Sequence, residues 1–481
     1  MDRVELSFGE RNFAHAALGD QRRTRRLVEV ADQMVYRPGG SLPDKINCPK
    51  DLKAMYRLFD CEVVTHEVIL QSLQQHLLQT VLPSREGMTL VIHDATELEY
   101  TRRRSLDSEL GQIGNGYRRG YIAQNSLMVC PQSGRTLGLA NQILHRRAKV
   151  KSGETRTARQ KRKSRESLLW IKGTLPLPGD RKIVDVCDRG ADTSEFIRHE
   201  ANSGRTFLIR SSNNRNCVVG HGPAKEDGRG PSEVVKLHAY ARSLEATGTW
   251  DLEVTSKTEV KSKNRQGKKR PVTRTKRTAT MGVSFGAVEL KPAGSKKEAS
   301  IKVWVVRVWE LDPPAGQERL EWFLITNHPV ESFEDAYEVV GWYEKRWIVE
   351  EYHKCLKTGM NIESFQFTKA ARLQPAIALT SIAAITLLTM RDDSRNEATK
   401  DRPATEYIDQ AYVEVLSSWR HGKPNLKWTV GEFTLALARL SGHQNRKGDH
   451  PPGWQKLWKG WHELNAMLLG AKIAKENKTC G

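Results

Sequence analysis

The spacing of hydrophobic and polar residues changes along the chain and divides it into three regions. Up to about residue 70 the chain is polar and helix-like, with apolar residues at helical spacing over 52–58. Residues 71–372 alternate between strand-like and helix-like patterns, and residues 373–481 are helix-like again. We therefore predict three domains: a helical one over 1–70, an α/β one over 71–372 and a helical one over 373–481.

The strand patterns of the middle region predict a mixed sheet. Three apolar runs separated by short turns are typical of an antiparallel meander. They lie at residues 88–94, 121–130 and 136–144. A strand, helix, strand pattern follows over residues 182–209, and short strands between glycine-rich and basic turns predict an inserted β-subdomain at about 215–320.

The remaining patterns concern two helices and the cellular location of the protein. A long helical stretch is predicted from Ser332 to about Lys357. The apolar run 376–390 is shorter than a bilayer span and contains the hydroxyl side chains of Thr380, Ser381 and Thr386, which favours a buried helix and no membrane contact. Residues 1–20 lack the pattern of a secretory signal, and the seven cysteines include no CxxC pair. These features predict a cytoplasmic protein.

The charge of the chain points to a polyanionic partner. Lys and Arg number 77 against 57 Asp and Glu, a formal net charge of +20. Basic residues cluster at Arg22 to Arg26, over 146–166 and over 257–277. Several separate patches suit the repeated phosphates of double-stranded DNA better than a small acidic metabolite. A basic but otherwise ordinary enzyme is the alternative, because solvated charged faces are common.

Two acidic residues stand where strands end. Asp94 is placed at the end of the first strand of the meander, and Asp188 follows the strand 182–187. Carboxylates are hard oxygen ligands that suit Mg²⁺ or Mn²⁺, and two such ions about 3.5 to 4 Å apart support phosphodiester cleavage. For either acid alone, a turn or a helix cap explains the position equally well.

The later helix carries a mixed polar face. At about 100° per residue, Tyr343, Arg346, Glu350 and Lys357 fall within a narrow sector, and geometry prefers Glu350 to the neighbouring Glu351. The helical wheel does not separate Lys357 from Lys354, which fits the same sector. The alternative is a solvated amphipathic helix with an Arg/Glu pair.

The spacing Tyr-(2)-Arg-(3)-Glu-(6)-Lys at 343–357 resembles the signature of bacterial cut-and-paste DDE transposases of the insertion-sequence-four group. The similarity extends to residues 186–192, to residues 17–27 and to residues 454–469, and it covers almost the whole chain. The resemblance implies an RNase H-like mixed-sheet core of the α/β class with an inserted β-subdomain. It also implies that Asp94, Asp188 and Glu350 are catalytic and bind two Mg²⁺ ions, with Mn²⁺ as a substitute.

The resemblance assigns DNA contacts to eight further positions. They are Tyr343, Arg346, Lys357, Trp322, Arg210, Arg22, Arg23 and Arg26. Tyr343, Arg346 and Lys357 would contact phosphates near a hairpin end, and Trp322 would stack on a flipped base. The arginines near the start would recognise the transposon end. A core position for Trp322, a salt bridge for Arg210 and a solvated helix face for the arginines are the structural alternatives.

An apolar stripe in the last region has two interpretations. The residues that recur at helical spacing are Trp454, Leu457, Trp458, Trp461, Leu464 and Leu468. The stripe either docks on the core of its own chain or, as the resemblance implies, forms a homodimer in the DNA complex.

The function that the resemblance implies is transposition by nicking, hairpin formation, hairpin opening and strand transfer. Two rivals remain, an RNase H-like nuclease on branched DNA and a non-catalytic DNA-binding inhibitor of transposition.

Overall fold

The structure is a computed structural model, and its chain divides into two compact units. It describes residues 7–37, 39–46, 48–114, 116–149, 153–155, 157–158, 161–220, 232–260, 271–292, 298–447 and 449–478. The first unit contains residues 1–177 and 347–481, and the second contains residues 178–346.

The first unit begins with five helices, three of which start at a residue whose side chain accepts a hydrogen bond from the first turn. They are α1 (Phe8–Phe13), α2 (Gln21–Tyr36), α3 (Leu42–Lys45), α4 (Pro49–Phe59) and α5 (His66–His76). Asp20 caps α2 by accepting a hydrogen bond from the backbone N–H of Arg22. Thr65 caps α5 in the same way, through the N–H of Val68. The N-terminal region is therefore helical, as predicted.

Four strands of the first unit form an antiparallel arrangement around β3. They are β1 (Thr89–Glu99), β2 (Gly111–Gln112), β3 (Arg119–Val129) and β4 (Thr136–His145). β1 and β4 both pair with β3, which confirms the predicted meander. The helix α6 (Leu168–Thr174) packs on β3 and β4.

The first strand extends past the predicted end at Asp94. Its buried half, Leu90 to His93, is followed by a partly exposed half that still pairs with β3 as far as Glu99↔Gly120. Backbone pairing continues where the apolar pattern stops, so Asp94 lies within the strand and the predicted boundary was wrong.

The second unit is built on a mixed sheet with the strand order β5–β6–β14–β13–β12–β7–β8. These strands are β5 (Ile183–Cys187), β6 (Thr206–Arg210), β7 (Asn216–Gly220), β8 (Ser232–Lys236), β12 (Arg277–Leu290), β13 (Ile301–Glu310) and β14 (Glu321–Thr326). β5 and β6 run parallel and are joined through α7 (Ser194–Ala201), as predicted, while β6 and β14 are antiparallel. The unit also contains β9 (Gly248–Val254), β10 (Lys257–Val260), β11 (Pro271–Arg274), α8 (Leu237–Ser243) and α9 (Phe333–Glu344).

The chain returns to the first unit and ends in helices. They are α10 (Ile348–Lys354), α11 (Ala370–Ala383), α12 (Ile385–Arg395), α13 (Glu397–Lys400), α14 (Gln410–His421), α15 (Val430–Leu440) and α16 (Trp454–Lys478). Among the described residues, one stretch, Ala370–Arg395, is long and apolar enough to cross a membrane, and 78% of its most apolar window is buried inside the fold. This stretch forms α11 and α12, and its burial agrees with the predicted core helix.

The predicted basic runs are described in part. Residues 150–152, 156 and 159–160 of the first run and residues 261–270 of the second lie outside the described residues. Within the first run, Arg147 pairs with Glu166 at 2.5 Å. This arginine is therefore already neutralised by a carboxylate of the same chain.

Candidate active site

Asp94 lies where the buried half of β1 gives way to its exposed half. Its carboxylate is partly exposed, and Oδ1 accepts a hydrogen bond from the N–H of Ala95 at 2.8 Å. Asp94 is directly opposite Asn125 of β3 in the register. The pairing of β1 with β3 continues before and after Asp94 and fixes the backbone there, so that only the side chain can adjust.

Asp188 follows directly after β5, whose five residues are all buried. Its Oδ1 accepts a hydrogen bond from Gly190 N–H at 2.7 Å and caps a short 3₁₀ turn over Arg189–Ala191. The carboxylate remains partly exposed. Asp188 thus caps the following turn, which is one of the alternatives that the sequence left open. Its side chain stands at the end of the buried strand β5.

Glu350 lies in the first turn of α10, and its side chain is exposed. The stretch 333–359 is helical, as predicted, but it is not one continuous α-helix. A 3₁₀ turn over Lys345–Trp347 separates α9 from α10, and a wider turn over Cys355–Gly359 follows α10. Both turns depart from 3.6 residues per turn, so the angles calculated for one continuous α-helix do not apply to the whole of 343–357.

The first unit brings Glu350 and Lys357 to the strand that carries Asp94. The helix α10 packs against β1. Lys357 Nζ lies 3.7 Å from Glu363, and Glu363 in turn accepts a hydrogen bond from Glu99 N–H, at the end of β1, at 2.8 Å. Two acids and one cation of the predicted site are therefore anchored to elements that pack on one another.

The second unit gathers the predicted DNA-contacting residues around Tyr343. The ring of Trp322 lies 6.2 Å from that of Tyr343, and the Arg210 guanidinium lies 5.9 Å from the Trp322 ring. Arg210 pairs with Leu324 across β6 and β14, so Trp322, two residues before Leu324, projects from the same face of the sheet. The structure thus brings together Arg210, Trp322 and Tyr343.

Titratable groups of this cluster influence one another. Burial lowers the pKa of Arg210, the negative form of Tyr343 opposes that shift, and the charges of Arg189 and Arg346 reinforce it. Burial raises the pKa of Tyr343, while Arg210 and Arg346 lower it. The charge of Asp188 also reaches Tyr343 and raises its pKa. Tyr343 is therefore within electrostatic reach of two guanidinium groups and of the strand-end carboxylate of Asp188.

Arg189 is a member of this cluster that sequence reasoning did not select. It is exposed, and its charge acts on Arg210. Its place directly after Asp188 was the only signal available, and adjacency alone does not reveal a neighbour on another strand.

The N-terminal arginines differ in their surroundings. Arg22 has 90% of its side chain exposed and pairs with Asp20 at 3.1 Å. Arg23 donates to the backbone oxygen of Leu18 at 3.0 Å. Arg26 lies 2.9 Å from Asp51 of α4 and has 29% of its side chain exposed, so it links two helices of the domain. The three predicted contacts therefore lie on α2, with Arg22 the most accessible of them.

The C-terminal stripe packs within its own chain. Leu457, Leu464 and Leu468 of α16 are buried in one apolar cluster with residues of α14 and α15. Trp461 stacks on Tyr412 with ring centroids 4.8 Å apart. Docking on the chain's own core, the first of the two interpretations, accounts for these side chains.

The carboxylates fit divalent metal ions by their chemistry. Asp94, Asp188 and Glu350 offer oxygen donors, and each is at least partly exposed. Among the described residues of either unit, no three His, Cys, Asp or Glu side chains are grouped closely enough to hold a metal ion. Asp94 and Glu350 belong to the first unit and Asp188 belongs to the second.

Two family models match the chain. Residues 6–64 match the model described as Transposase DNA-binding, and residues 85–387 match the model described as Transposase DDE domain. The second match covers more than half of the chain and runs through residues of both units. It identifies the middle region as RNase H-like, an enzyme domain that cleaves DNA and transfers strands and that generally uses divalent metal ions. DNA is the partner of the N-terminal region. With a DNA-binding domain followed by this catalytic domain, the chain belongs to the family of DDE transposases.

Proposed function

We propose that the protein is a bacterial cut-and-paste transposase of the insertion-sequence-four group, most similar in its motifs to the Tn-five transposase. The observation that carries the proposal is the packing of α10, which bears Glu350, on β1, which bears Asp94. This arrangement lies within the region matched by the DDE model. Two features of the sequence support the assignment to the insertion-sequence-four group. They are the order of the three acids along the chain and the spacing from Tyr343 to Lys357.

We propose that Asp94, Asp188 and Glu350 are the catalytic residues and bind two Mg²⁺ ions, with Mn²⁺ as a substitute. When bound, such a pair activates an oxygen nucleophile and stabilises the leaving oxygen of an in-line phosphoryl transfer. The protein contributes rigid positions for the ligands. Asp94 is held because β1 pairs with β3 both before and after this residue, and Asp188 is held by the turn that it caps.

The cationic residues near Tyr343 suit a DNA phosphate. Arg210 and Arg346 both act electrostatically on Tyr343, so an anion close to this phenol would meet two guanidinium groups. Each guanidinium can grip a phosphate through two donors, which fixes its orientation as well as its position. We assign Tyr343, Arg346, Arg210 and, in the first unit, Lys357 to the phosphates near the hairpin end.

Trp322 is assigned to stacking on a base that leaves the duplex during hairpin formation. Its side chain is partly exposed and is flanked by Arg210 and Tyr343. Stacking on an aromatic ring contributes on the order of 1 to 3 kcal/mol per base. A position between a cation and a phenol suits a nucleotide. The base can stack on Trp322 while its phosphate contacts Arg210 or Tyr343.

The same site would serve four successive phosphoryl transfers. The first nicks the transposon end, and the freed 3′-hydroxyl then attacks the opposite strand and forms a hairpin. The hairpin is reopened, and the end is joined to target DNA. We propose that Arg22, Arg23 and Arg26 contact the transposon end, that two chains form a homodimer in the DNA complex, and that the protein acts in the cytoplasm at the bacterial nucleoid.

The test is a cleavage reaction with DNA that carries the inverted repeats flanking the gene. Purified protein, Mg²⁺ and labelled ends are expected to give nicked, hairpinned and then joined products. The variants Asp94→Asn, Asp188→Asn and Glu350→Gln keep the shape of each side chain and remove its charge, and each is expected to abolish cleavage while DNA binding persists.

The alternatives give different products in the same reaction. Cleavage of branched DNA without hairpins or joined strands would indicate the nuclease. Binding without cleavage by the wild-type protein would indicate the inhibitor of transposition. Full activity in the variants of the three acids would refute the assignment of the catalytic residues.

A further inference from the structure

A chain of buried polar side chains connects the helix of Glu350 to the strands beside Asp94. Asn125 of β3 and Ser381 of α11 are fully buried, and Gln142 of β4 and His66 of α5 are 3% and 2% exposed. The chain reaches α10 at His353, whose Nε2 lies 3.1 Å from Asn125 Nδ2. All five residues belong to the first unit.

The hydrogen bonds at Gln142 fix the orientation of its amide. Gln142 Nε2 donates to Asn125 Oδ1 at 2.8 Å and to Ser381 Oγ at 2.9 Å. Both amide hydrogens are then used, and Gln142 Oε1 accepts from His66 Nε2 at 3.1 Å. Because Asn125 Oδ1 accepts from Gln142, the nitrogen end of the Asn125 amide is the end that faces α10.

The orientation of Asn125 in turn fixes the tautomer of His353. Asn125 Nδ2 donates to Ala123 O at 3.2 Å and has its second hydrogen for His353 Nε2. An amide nitrogen does not accept hydrogen bonds, so His353 Nε2 is the acceptor. A neutral imidazole that accepts at Nε2 carries its hydrogen at Nδ1.

This hydrogen bond joins a neighbour of Asp94 to a neighbour of Glu350. Asn125 is directly opposite Asp94 in the antiparallel register, so both side chains project from the same face of the strands. His353 lies one helical turn after Glu350, on the same side of α10. A second bond, from the Tyr352 hydroxyl to Ser381 O at 3.0 Å, holds α10 to α11. The helix of Glu350 is thus tied both to the strand next to Asp94 and to a core helix.

We propose that Asn125 and His353 are positioning residues that hold Glu350 at a fixed place relative to Asp94. The inference rests on the proposed function, in which these two acids bind divalent metal ions. Asn125 is fully buried and its amide is occupied, so it acts through His353 and not on DNA. Partners that orient metal ligands in this way typically contribute about 10- to 100-fold to metal affinity or activity.

The experiment compares two substitutions of the same residue. His353→Phe keeps a ring and removes the acceptor, whereas His353→Gln places an amide oxygen near the position of Nε2. Binding of Mn²⁺ to the full-length protein is followed by electron paramagnetic resonance of the free ion, with Asp94→Asn as the reference for a lost ligand. We expect about tenfold weaker Mn²⁺ binding in His353→Phe and near-normal binding in His353→Gln.

Each outcome has a defined meaning. Normal Mn²⁺ binding in Asp94→Asn would refute the proposed metal ligand and, with it, the positioning role that rests on it. Lost binding in Asp94→Asn with normal binding in His353→Phe would overturn the positioning role and leave the proposed function intact. Equal losses in both His353 variants would show that the imidazole itself is needed and would also overturn the inference.

A spectroscopic measurement tests the hydrogen bond in the wild-type protein itself. In wild-type protein labelled with ¹⁵N at histidine, the signals that disappear in His353→Gln identify His353. At pH 8 we expect the shift pattern of a neutral ring with its hydrogen at Nδ1. A hydrogen at Nε2 would mean that Asn125 does not donate to this ring, and the proposal would be wrong.

Discussion

Replacing Lys45 by methionine should change how the stability of the protein depends on pH. Lys45 is 1% exposed, and its Nζ donates to Gly39 O at 2.5 Å and to Met360 O at 3.1 Å. Burial lowers the pKa of Lys45 from 10.5 to about 7, although the charge of Asp44 opposes the shift. The folded protein therefore releases this proton well below the pH at which the unfolded chain does.

The sign and size of the effect follow from proton linkage. Between pH 7 and pH 10.5 the unfolded chain binds one more proton at Lys45 than the folded chain, so stability rises with pH in this window. One pKa unit corresponds to about 1.4 kcal/mol, and the gain in the free energy of unfolding from pH 7.5 to pH 9.5 is about 2.5 kcal/mol. Lys45→Met removes the proton and should remove this gain.

Urea unfolding of the full-length protein at pH 7.5 and pH 9.5 provides the test. The difference in unfolding free energy between wild type and Lys45→Met should shift by about 2.5 kcal/mol in favour of wild type at the higher pH. Lys53→Met, at an exposed position on α4, is the matched control and should follow the wild-type pH dependence. Identical pH dependence in wild type and Lys45→Met would refute the assignment of a buried, easily deprotonated ammonium.

Three further predictions concern packing and DNA. Gly39 has φ +87° and an added Cβ would lie 2.3 Å from the Trp458 ring, whereas Gly316 has φ +77° and open space around it. Gly39→Ala should therefore destabilise by about 1–3 kcal/mol more than Gly316→Ala, as judged by urea unfolding; equal losses would show that backbone strain alone matters. Trp322→Ala should slow hairpin formation by about 10- to 100-fold in single-turnover reactions while Trp322→Phe retains most of the rate, and an unchanged rate in Trp322→Ala would contradict base stacking. Arg22→Ala should weaken binding to the transposon end and reduce the salt slope by about 1 without lowering the thermal midpoint, because the side chain is 90% exposed; an unchanged slope would mean that it contacts no phosphate.

Local chemistry made several parts of the fold predictable. Asp20 caps α2 because its side chain is short enough to reach a backbone N–H of the first turn, a relation within three residues of sequence. The strand, helix, strand unit over 183–210 was equally clear, since the buried strands are continuous apolar runs. Both features are encoded by residues that are close together in the chain.

Other parts depend on contacts that sequence patterns do not report. The second half of β1 is held by backbone pairing with β3, which leaves no trace in the hydrophobic pattern beyond Asp94. A three-residue 3₁₀ turn at Lys345–Trp347 is too short to alter a helical periodicity, yet it changes the direction of the residues that follow. The apolar stripe on α16 predicted a helix correctly, but its spacing cannot say which surface covers it.

The site was predictable to the extent that it resides in short motifs. The signature residues were chosen because their spacing resembles that of a known family, and the structure brings Arg210, Trp322 and Tyr343 close together. Their contacts with DNA stay a prediction. Asn125 and His353 could not be found in this way, because their relation depends on the register of two strands and on the seating of a helix.

The hydrogen bond from Lys45 to Met360 limits how N-terminal segments can be exchanged between such proteins. Met360 lies just past the turn that follows α10, so a side chain of the N-terminal helices reaches the backbone next to the helix that bears Glu350. An N-terminal segment grafted from a relative in order to redirect the enzyme to other DNA ends would bring its own residue to this position. Chimeras of this kind would need the lysine and its two carbonyl acceptors transferred as a set, and a junction drawn only at the edge of the DNA-binding module would break that set.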